Sequence, residues 1–256
     1  MTLRTAVILC GGKGTRLGAL GKKISKTLIK IQGYPILWFI INALKKNKFN
    51  HFILPIGYKG EQIKKYIKEN PKFKNDYFEL IPTGNNISIS KRIYKIKNFI
   101  KSENFLLLNG DAVFYSNIDK IYNEHLKKKF DISFICSEAE ADFGTVGMRN
   151  GKIVNFKRGL MFGSVKTKNK KNFSGFVYSG MAIINKKILK ERFVNKTNFE
   201  KEFYPKIIKK YNCNMFNLNG FWHAMDNLKD INTINNNKEN QIMFRKIKNI
   251  IKKLKK

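Results

Sequence analysis

Eight residues near the start of the chain, Gly11-Gly12-Lys13-Gly14-Thr15-Arg16-Leu17-Gly18, have the composition of an anion-binding turn. Glycines let backbone N–H groups face a negative charge, and an arginine adds two parallel hydrogen bonds suited to a phosphate. A plain tight turn with a solvated arginine is the alternative. Two aspartates have the chemistry of a cation site. Asp111 follows an apolar stretch and a glycine, and Asp226 follows an apolar-aromatic stretch. A hard divalent cation on a nucleotide takes one or two carboxylates together with phosphate oxygens. The same residue type also caps helices and turns, so both readings stand for each aspartate. Ser25, Ser88 and Ser90 lack the context of a nucleophile elbow. His51, His125 and His223 have no metal-ligand spacing and read as structural or surface residues.

The turn fits neither of two common phosphate motifs. Counted from Gly12, a GxGxxG fingerprint needs glycine where Leu17 stands. Gly21-Lys22 is followed by Lys23 rather than by Ser or Thr, so the P-loop pattern fails too. A dinucleotide-dependent dehydrogenase and a P-loop NTPase are therefore unsupported.

The elements that would position these residues alternate between strand and helix. Residues 6–10 form a short apolar run that feeds the glycines, the pattern of a buried strand entering a turn. Residues 35–46 carry apolar residues at helical spacing, with Pro35 suited to a first turn. Further strands are expected at 51–56, 105–108, 131–136, 152–156 and 177–184, and helices at 60–69 and 199–211. Such alternation implies a largely parallel sheet covered on both faces, with ligands at the carboxyl ends of its strands. The glycine turn and Asp111 both fall at such ends. After a polar break at 235–240, residues 241–256 form a basic amphipathic helix, separate from a domain spanning 1–236.

The 256 residues suit one α/β domain with a short appendage, and 43% hydrophobic residues suffice for a sizeable core. The net charge of +33 invites a nucleic-acid reading. The lysines, however, are spread along the chain with abundant Asn and Ile, and no nucleic-acid-binding signature accompanies them. No nucleic-acid partner is expected. A scattered positive field still draws in nucleotides and sugar phosphates. Cys10, Cys136 and Cys213 form no CxxC pair, which indicates neither a zinc site nor a disulfide framework and fits a reduced cytoplasm. The apolar run at the N-terminus is too short for a signal segment, and none approaches the roughly 18 residues of a membrane span. For the basic terminal helix, packing on its own domain or on a sister copy is preferred over contact with an anionic membrane surface.

Residues 11–17 resemble the GGxGTRL signature of nucleotidyltransferases acting on sugar phosphates: Gly11, Gly12, Gly14, Thr15, Arg16 and Leu17 match it. Ser25-Lys26-Thr27 stands where that family has a PKP segment, and Gly33-Tyr34-Pro35-Ile36-Leu37 matches its GxPIL stretch. Within the family the sequence is most similar to glucose-1-phosphate cytidylyltransferases. This rests on Gly57-Tyr58-Lys59-Gly60, on Thr83-Gly84 followed by Arg92, and on Gly110-Asp111-Ala112-Val113. Phe199-Glu200-Lys201-Glu202 and Gly220-Phe221-Trp222 with Met225-Asp226 and Leu228 complete the match.

The resemblance implies a Rossmann-like (GT-A type) three-layer α/β/α fold with a mostly parallel mixed sheet. It implies transfer of a nucleotidyl group, with CTP and glucose-1-phosphate favoured, and release of pyrophosphate. Uridylyl or guanylyl transfer to another sugar phosphate, or a non-catalytic nucleotide-sugar-binding relative, are the alternatives. It further implies that Mg2+ is the cofactor, held by Asp111 and Asp226, and that Arg16 and Lys26 are catalytic. Nucleotide contacts would come from Leu9, Cys10, Gly11, Gly12, Lys13, Gly14, Thr15, Arg16, Lys26, Thr83, Gly84, Arg92 and Gly110. A homo-oligomer, a cytoplasmic location and a product that feeds polysaccharide synthesis are also implied.

The sugar side departs from the family pattern. An FxEKP segment, whose lysine binds the sugar phosphate in the family, is replaced by Val154-Asn155-Phe156-Lys157-Arg158-Gly159. An NGGFF-type segment is replaced by Tyr178-Ser179-Gly180-Met181. Lys157 or Arg158 would then meet the sugar phosphate, a solvated strand end being the alternative, and Tyr178 and Ser179 would offer hydroxyls to the sugar, unless Tyr178 simply packs.

Overall fold

The short apolar runs form the strands of a seven-stranded sheet in the computed structural model. The model describes all residues except 1, 138, 141–144, 151, 158–160, 163, 167–171, 175, 192–195, 237 and 254–256. The strands are β1 (Thr5–Leu9), β2 (His51–Ile56), β3 (Tyr77–Pro82), β4 (Asn104–Asn109), β5 (Ala112–Ser116), β6 (Ile132–Ser137), β7 (Val177–Asn185), β8 (Cys213–Asn217) and β9 (Gly220–Ala224). The sheet runs β8-β6-β7-β4-β1-β2-β3, while β5 and β9 pair separately as an antiparallel ribbon. Every pairing within the sheet is parallel except those of β7, which runs antiparallel to both β4 and β6.

The helices are α1 (Gly18–Lys23), α2 (Ile36–Lys46), α3 (Gly60–Glu69), α4 (Ile89–Ile96), α5 (Ile118–Lys127), α6 (Tyr204–Lys210), α7 (Leu228–Asn236) and α8 (Lys238–Lys253). Alternation along β1 sends Ala6 and Ile8 into one core and Val7 into another. The first core is covered by Ile36, Leu37 and Ile40 of α2, Ile63 of α3, Ile118 of α5 and Ile231 of α7. The second is covered by Ile93 and Ile96 of α4 and Ile207 of α6. This is the expected three-layer α/β/α arrangement with a mostly parallel mixed sheet.

Several elements differ from expectation. The strand expected at 152–156 forms as Lys152–Lys157, but it pairs with Thr145–Arg149 in a hairpin outside the main sheet. The helix expected at 199–211 is broken into a π-helical turn, Phe199–Phe203, that runs into α6. Pro205 lies there, and its missing N–H disfavours a uniform α-helical ladder. Strands β3, β5, β8 and β9 and helices α4 and α5 were not anticipated; β3, for one, is a half-exposed sheet edge whose residues lack a clean alternation.

The basic C-terminal helix docks on α2. Phe244 and Ile247 are buried in the first core, and the Phe244 ring lies 5.2 Å from that of Phe39 and 5.6 Å from that of Phe221. Lys248 Nζ donates to the Gln32 carbonyl, and Gln241 Nε2 donates to the Asn235 carbonyl at 2.7 Å. Ile242 of the same helix is 53% exposed. Among the described residues no helix is long and apolar enough to cross a membrane. Phe244→Ala is expected to lower unfolding stability by about 3–4 kcal/mol, the usual cost of emptying a buried phenylalanine site. Urea denaturation followed by tryptophan fluorescence reads this.

Two of the three histidines are buried and satisfied. His51 lies between Thr5 Oγ1 at 2.9 Å and Glu79 Oε1 at 3.0 Å. His125 lies between Ser133 Oγ at 2.8 Å and Asn104 Oδ1 at 3.0 Å. Burial pushes the His125 imidazole down from 6.5 to about 4. The unfolded chain therefore takes up that proton at a higher pH than the native one. Stability is full above pH 6.5 and declines as pH falls toward 4, by about 3 kcal/mol from this residue. Burial shifts His51 the same way. Urea midpoints at pH 7 and pH 4.5 check this, and His125→Gln is expected to show a shallower loss.

Candidate active site

The glycine turn is built by local sterics. After β1, Cys10 makes one further parallel bridge, to Ile56. Gly14 sits in the left-handed region with φ 63° and opens the turn Thr15–Leu17. The buried Leu17 donates its N–H to the Gly14 carbonyl at 3.0 Å and anchors the turn to the core. A methyl group on Gly21 would lie 2.3 Å from that same carbonyl, so α1 approaches the turn where only glycine fits.

Asp111 is held beside the turn by Gly110. The Gly110 N–H donates to the Leu9 carbonyl at 3.1 Å, and a methyl there would lie 2.6 Å from that oxygen. Asp226 arrives by the ribbon. Strand β9 pairs with β5 so that Ala224 faces Ala112, and the next residue, Met225, donates its N–H to the Asp111 carbonyl at 2.8 Å. Two aspartates far apart in sequence are thereby brought onto one ribbon end. Asn227, rather than Asp226, caps α7: its Oδ1 accepts from the Asp230 N–H at 3.1 Å. The Asp230 carboxylate in return accepts from the N–H groups of Asp226 at 2.7 Å and Asn227 at 2.9 Å. This reciprocal cap leaves the Asp226 side chain to face the site.

Both carboxylates converge on Lys26. Its ammonium lies 2.7 Å from Asp111 Oδ2 and 3.1 Å from Asp226 Oδ1, with the side chain only 14% exposed. Arg16 reaches Asp226 Oδ2 at 3.2 Å, but its side chain is 73% exposed and the pair is worth little on its own. A lysine between two carboxylates in a partly dry site is the stronger element. The site thus holds two anions and two cations in one chain of contacts.

A cavity of about 560 Å³ opens at these strand ends. Of the residues expected to meet a nucleotide, Leu9, Cys10, Gly11, Gly12, Lys13, Lys26, Arg92 and Gly110 line it, together with Asp111. Gly14, Thr15 and Arg16 lie outside the lining. Thr83 and Gly84 do as well. Thr83 is buried and donates its hydroxyl to the Ile56 carbonyl at 2.8 Å, and Gly84 holds a turn at φ 107°. Their place is taken by Asn85, Asn86 and Ile87, which the sequence reading missed. Those residues directly follow Thr83-Gly84, and that adjacency was the available signal. Burial raises the Cys10 thiol pKa far above its usual value, so the residue is a packed wall rather than a nucleophile.

The expected sugar-side hydroxyls are turned elsewhere. Ser179 is buried and donates to the Ile135 carbonyl at 2.6 Å, within the bulge that shifts the β6–β7 register between Tyr178 and Met181. Tyr178 shares a hydrogen bond with the Tyr204 hydroxyl at 2.9 Å, and their rings meet edge to face. Burial pushes both phenols above their usual range. Ser179 thus satisfies the bulge within the sheet, while the Tyr178 hydroxyl is satisfied by Tyr204 of α6. Lys157 pairs with Thr145 at the end of the hairpin, and Arg158 lies outside the described residues.

A glycine turn, two converging carboxylates and a cavity at the carboxyl ends of a mostly parallel sheet define an α/β protein built for a phosphorylated ligand. The chain belongs to the nucleotidyl transferase family, whose sequence pattern matches residues 5–241. It is 29% identical over 253 residues to a probable glucose-1-phosphate cytidylyltransferase of Bacillus subtilis (strain 168), covering 90% of this chain and 94% of that one. It is 30% identical over 213 residues to the D-glycero-alpha-D-manno-heptose 1-phosphate guanylyltransferase of Aneurinibacillus thermoaerophilus, covering 78% of this chain and 86% of that one. Among solved structures, HddC from Yersinia pseudotuberculosis complexed with GMP-PN superposes with a TM-score of 0.66 over 90% of this chain and 96% of that chain. At 23% identity that likeness speaks for the fold.

Proposed function

We propose that this protein transfers a nucleotidyl group from a nucleoside triphosphate to a sugar-1-phosphate, with cytidylyl transfer from CTP to glucose-1-phosphate as the favoured pair. One observation carries the proposal: Asp111 and Asp226 converge on the Lys26 ammonium at the mouth of a cavity walled by the glycine turn. The guanylyltransferase relative keeps guanylyl transfer to another sugar phosphate as the second reading.

The reaction is one in-line displacement. A phosphate oxygen of the sugar-1-phosphate attacks the α-phosphorus. The bond from that phosphorus to the bridging oxygen breaks, and pyrophosphate leaves with the electron pair. The attacking oxygen is anionic at neutral pH, so no general base is needed. Catalysis reduces to positioning and charge neutralisation. The amides of residues 11–14 and the exposed Arg16 guanidinium hold the departing pyrophosphate. Lys26, swung from its carboxylate partners, meets the α-phosphate. Asn85 and Asn86 border the base end of the cavity.

The donor set suits a hard cation: the Asp111 and Asp226 carboxylate oxygens already share the Lys26 ammonium between them. Asp111 and Asp226 would hold Mg2+, which when bound supplies charge neutralisation to the phosphates.

Pyrophosphate release with magnesium, crossing CTP, UTP, GTP, ATP and dTTP with a panel of sugar-1-phosphates, tests the proposal. Release with CTP and glucose-1-phosphate supports it in full. Release confined to another pair keeps the reaction and replaces the substrates. No release from folded protein with any pair overturns it.

A further inference from the structure

We propose that Arg92 is a positioning residue that locks the glycine turn for the triphosphate, an inference that rests on the nucleotidyl-transfer reading above. Arg92 projects from α4 and is only 5% exposed. Its guanidinium donates from Nη1 to Thr83 Oγ1 at 2.6 Å and from Nη2 to the Gly11 carbonyl at 2.8 Å. Thr83 Oγ1 passes the connection on to the Ile56 carbonyl at 2.8 Å. One side chain therefore ties together the ends of β1, β2 and β3. One turn later on the same helix, Lys95 donates to the Thr83 carbonyl at 2.8 Å.

The surrounding chain is cut to fit this side chain. A methyl group on Gly11 would lie 2.0 Å from Nη1 of Arg92, and one on Gly57 would lie 2.6 Å from the same atom. Two strand-end loops thus carry glycine where the guanidinium passes. Because a trans peptide is planar, its C=O and N–H point in opposite directions. Fixing the Gly11 carbonyl against Arg92 therefore fixes the direction of the Gly12 N–H, a group of the wall that lines the cavity. A lysine offers a point charge and cannot replace the fork that reaches two acceptors in different directions.

The charge balance points the same way. Among the described residues, no carboxylate lies within ion-pair distance of Arg92, and its hydrogen-bond partners are neutral oxygens. A buried cation with only neutral partners is costly unless an anion compensates it. Arg92 lines the same cavity as Gly11, Gly12 and Lys26, where a polyphosphate supplies that anion. The side chain thus acts through the turn, by geometry, and on the bound polyphosphate, by charge.

The test uses the full chain with Arg92→Met, which keeps the length without charge, and Arg92→Lys, which keeps charge without the fork. Inorganic pyrophosphate binding by calorimetry, backbone hydrogen exchange of residues 11–14 and turnover are read together. In Arg92→Met, pyrophosphate affinity is expected to fall by about tenfold and turnover by about a hundredfold. Exchange at 11–14 is expected to accelerate while the core strands keep their protection. Arg92→Lys is expected to recover pyrophosphate affinity but neither the protection of 11–14 nor the turnover. Wild-type exchange at 11–14 and wild-type pyrophosphate affinity in folded Arg92→Met overturn the inference. Should Arg92→Met fail to fold, wild-type exchange and turnover in Arg92→Lys overturn it instead. A wild-type chain that binds pyrophosphate but transfers nothing overturns the nucleotidyl-transfer reading, and the exchange data then judge Arg92 independently.

Discussion

Asp111→Asn is expected to reduce pyrophosphate release by about a thousandfold or more, with the fold intact. The size follows from what the carboxylate does. It is one of two anions that converge on a single cation position, and a neutral amide presents one oxygen and no charge there. Removing a charge-stabilising contact of this kind costs about two to three orders of magnitude in turnover, and losing half of a two-carboxylate site costs more. The native fold does not depend on the side chain. Lys26 keeps Asp226, and the Asp111 carbonyl keeps the Met225 N–H. The unfolding free energy from urea curves is expected to change by less than about 1 kcal/mol, as for other partly exposed ion pairs. Steady-state assays and urea curves on the same preparation check both halves. Asp111→Asn with normal turnover would remove Asp111 from the mechanism.

Lys26→Met is the second large effect, and it acts in two directions. Turnover is expected to fall by about a hundredfold or more, because the ammonium no longer meets the α-phosphate. At the same time the two aspartates lose the cation that spans them. Like charges held close repel unless a counter-ion sits between them. The variant is therefore expected to bind free Mn2+ more tightly than the wild type, read by titration calorimetry without any nucleotide. Tighter Mn2+ with slower turnover would show that Lys26 both neutralises the resting acids and serves the reaction. Unchanged Mn2+ affinity would show that the bridge does not shape the cation site.

The parts legible in the sequence were those whose chemistry is local. The glycine turn could be found from its own residues, since backbone freedom at Gly14 and the Arg16 charge are readable without knowing any neighbour. The parallel sheet was readable because its central strands are continuous apolar runs, such as Ala6 to Cys10 and Phe105 to Leu108. The cap at α7 was partly readable: Asp226 could be read as a helix cap, but only the structure shows that Asn227 takes that part and frees Asp226. The ribbon that joins the two aspartates was not readable. It pairs Ala112 with Ala224, and β9 is half-buried without a clean alternation. The surroundings of Tyr178 and Ser179 were not readable for a related reason. A β-bulge at Ser179 and Gly180 leaves no local mark that separates a hydroxyl facing ligand from one satisfying the sheet. Arg92 was read as a nucleotide neighbour and lines the cavity, but its hydrogen bonds to Gly11 and Thr83 were not readable, because only the folded strand ends bring those partners within reach.

The most direct test of the central claim is a phosphorus NMR spectrum of the protein with magnesium, CTP and glucose-1-phosphate. Nucleotidyl transfer predicts inorganic pyrophosphate and a new pair of diphosphate resonances growing at equal rates as both substrates disappear. Release of orthophosphate, or consumption of CTP without loss of the sugar phosphate, would mean hydrolysis and would contradict it. An unchanged spectrum with every triphosphate and sugar-1-phosphate tried, from protein whose cavity still binds nucleotide, would leave a binding protein in place of a transferase.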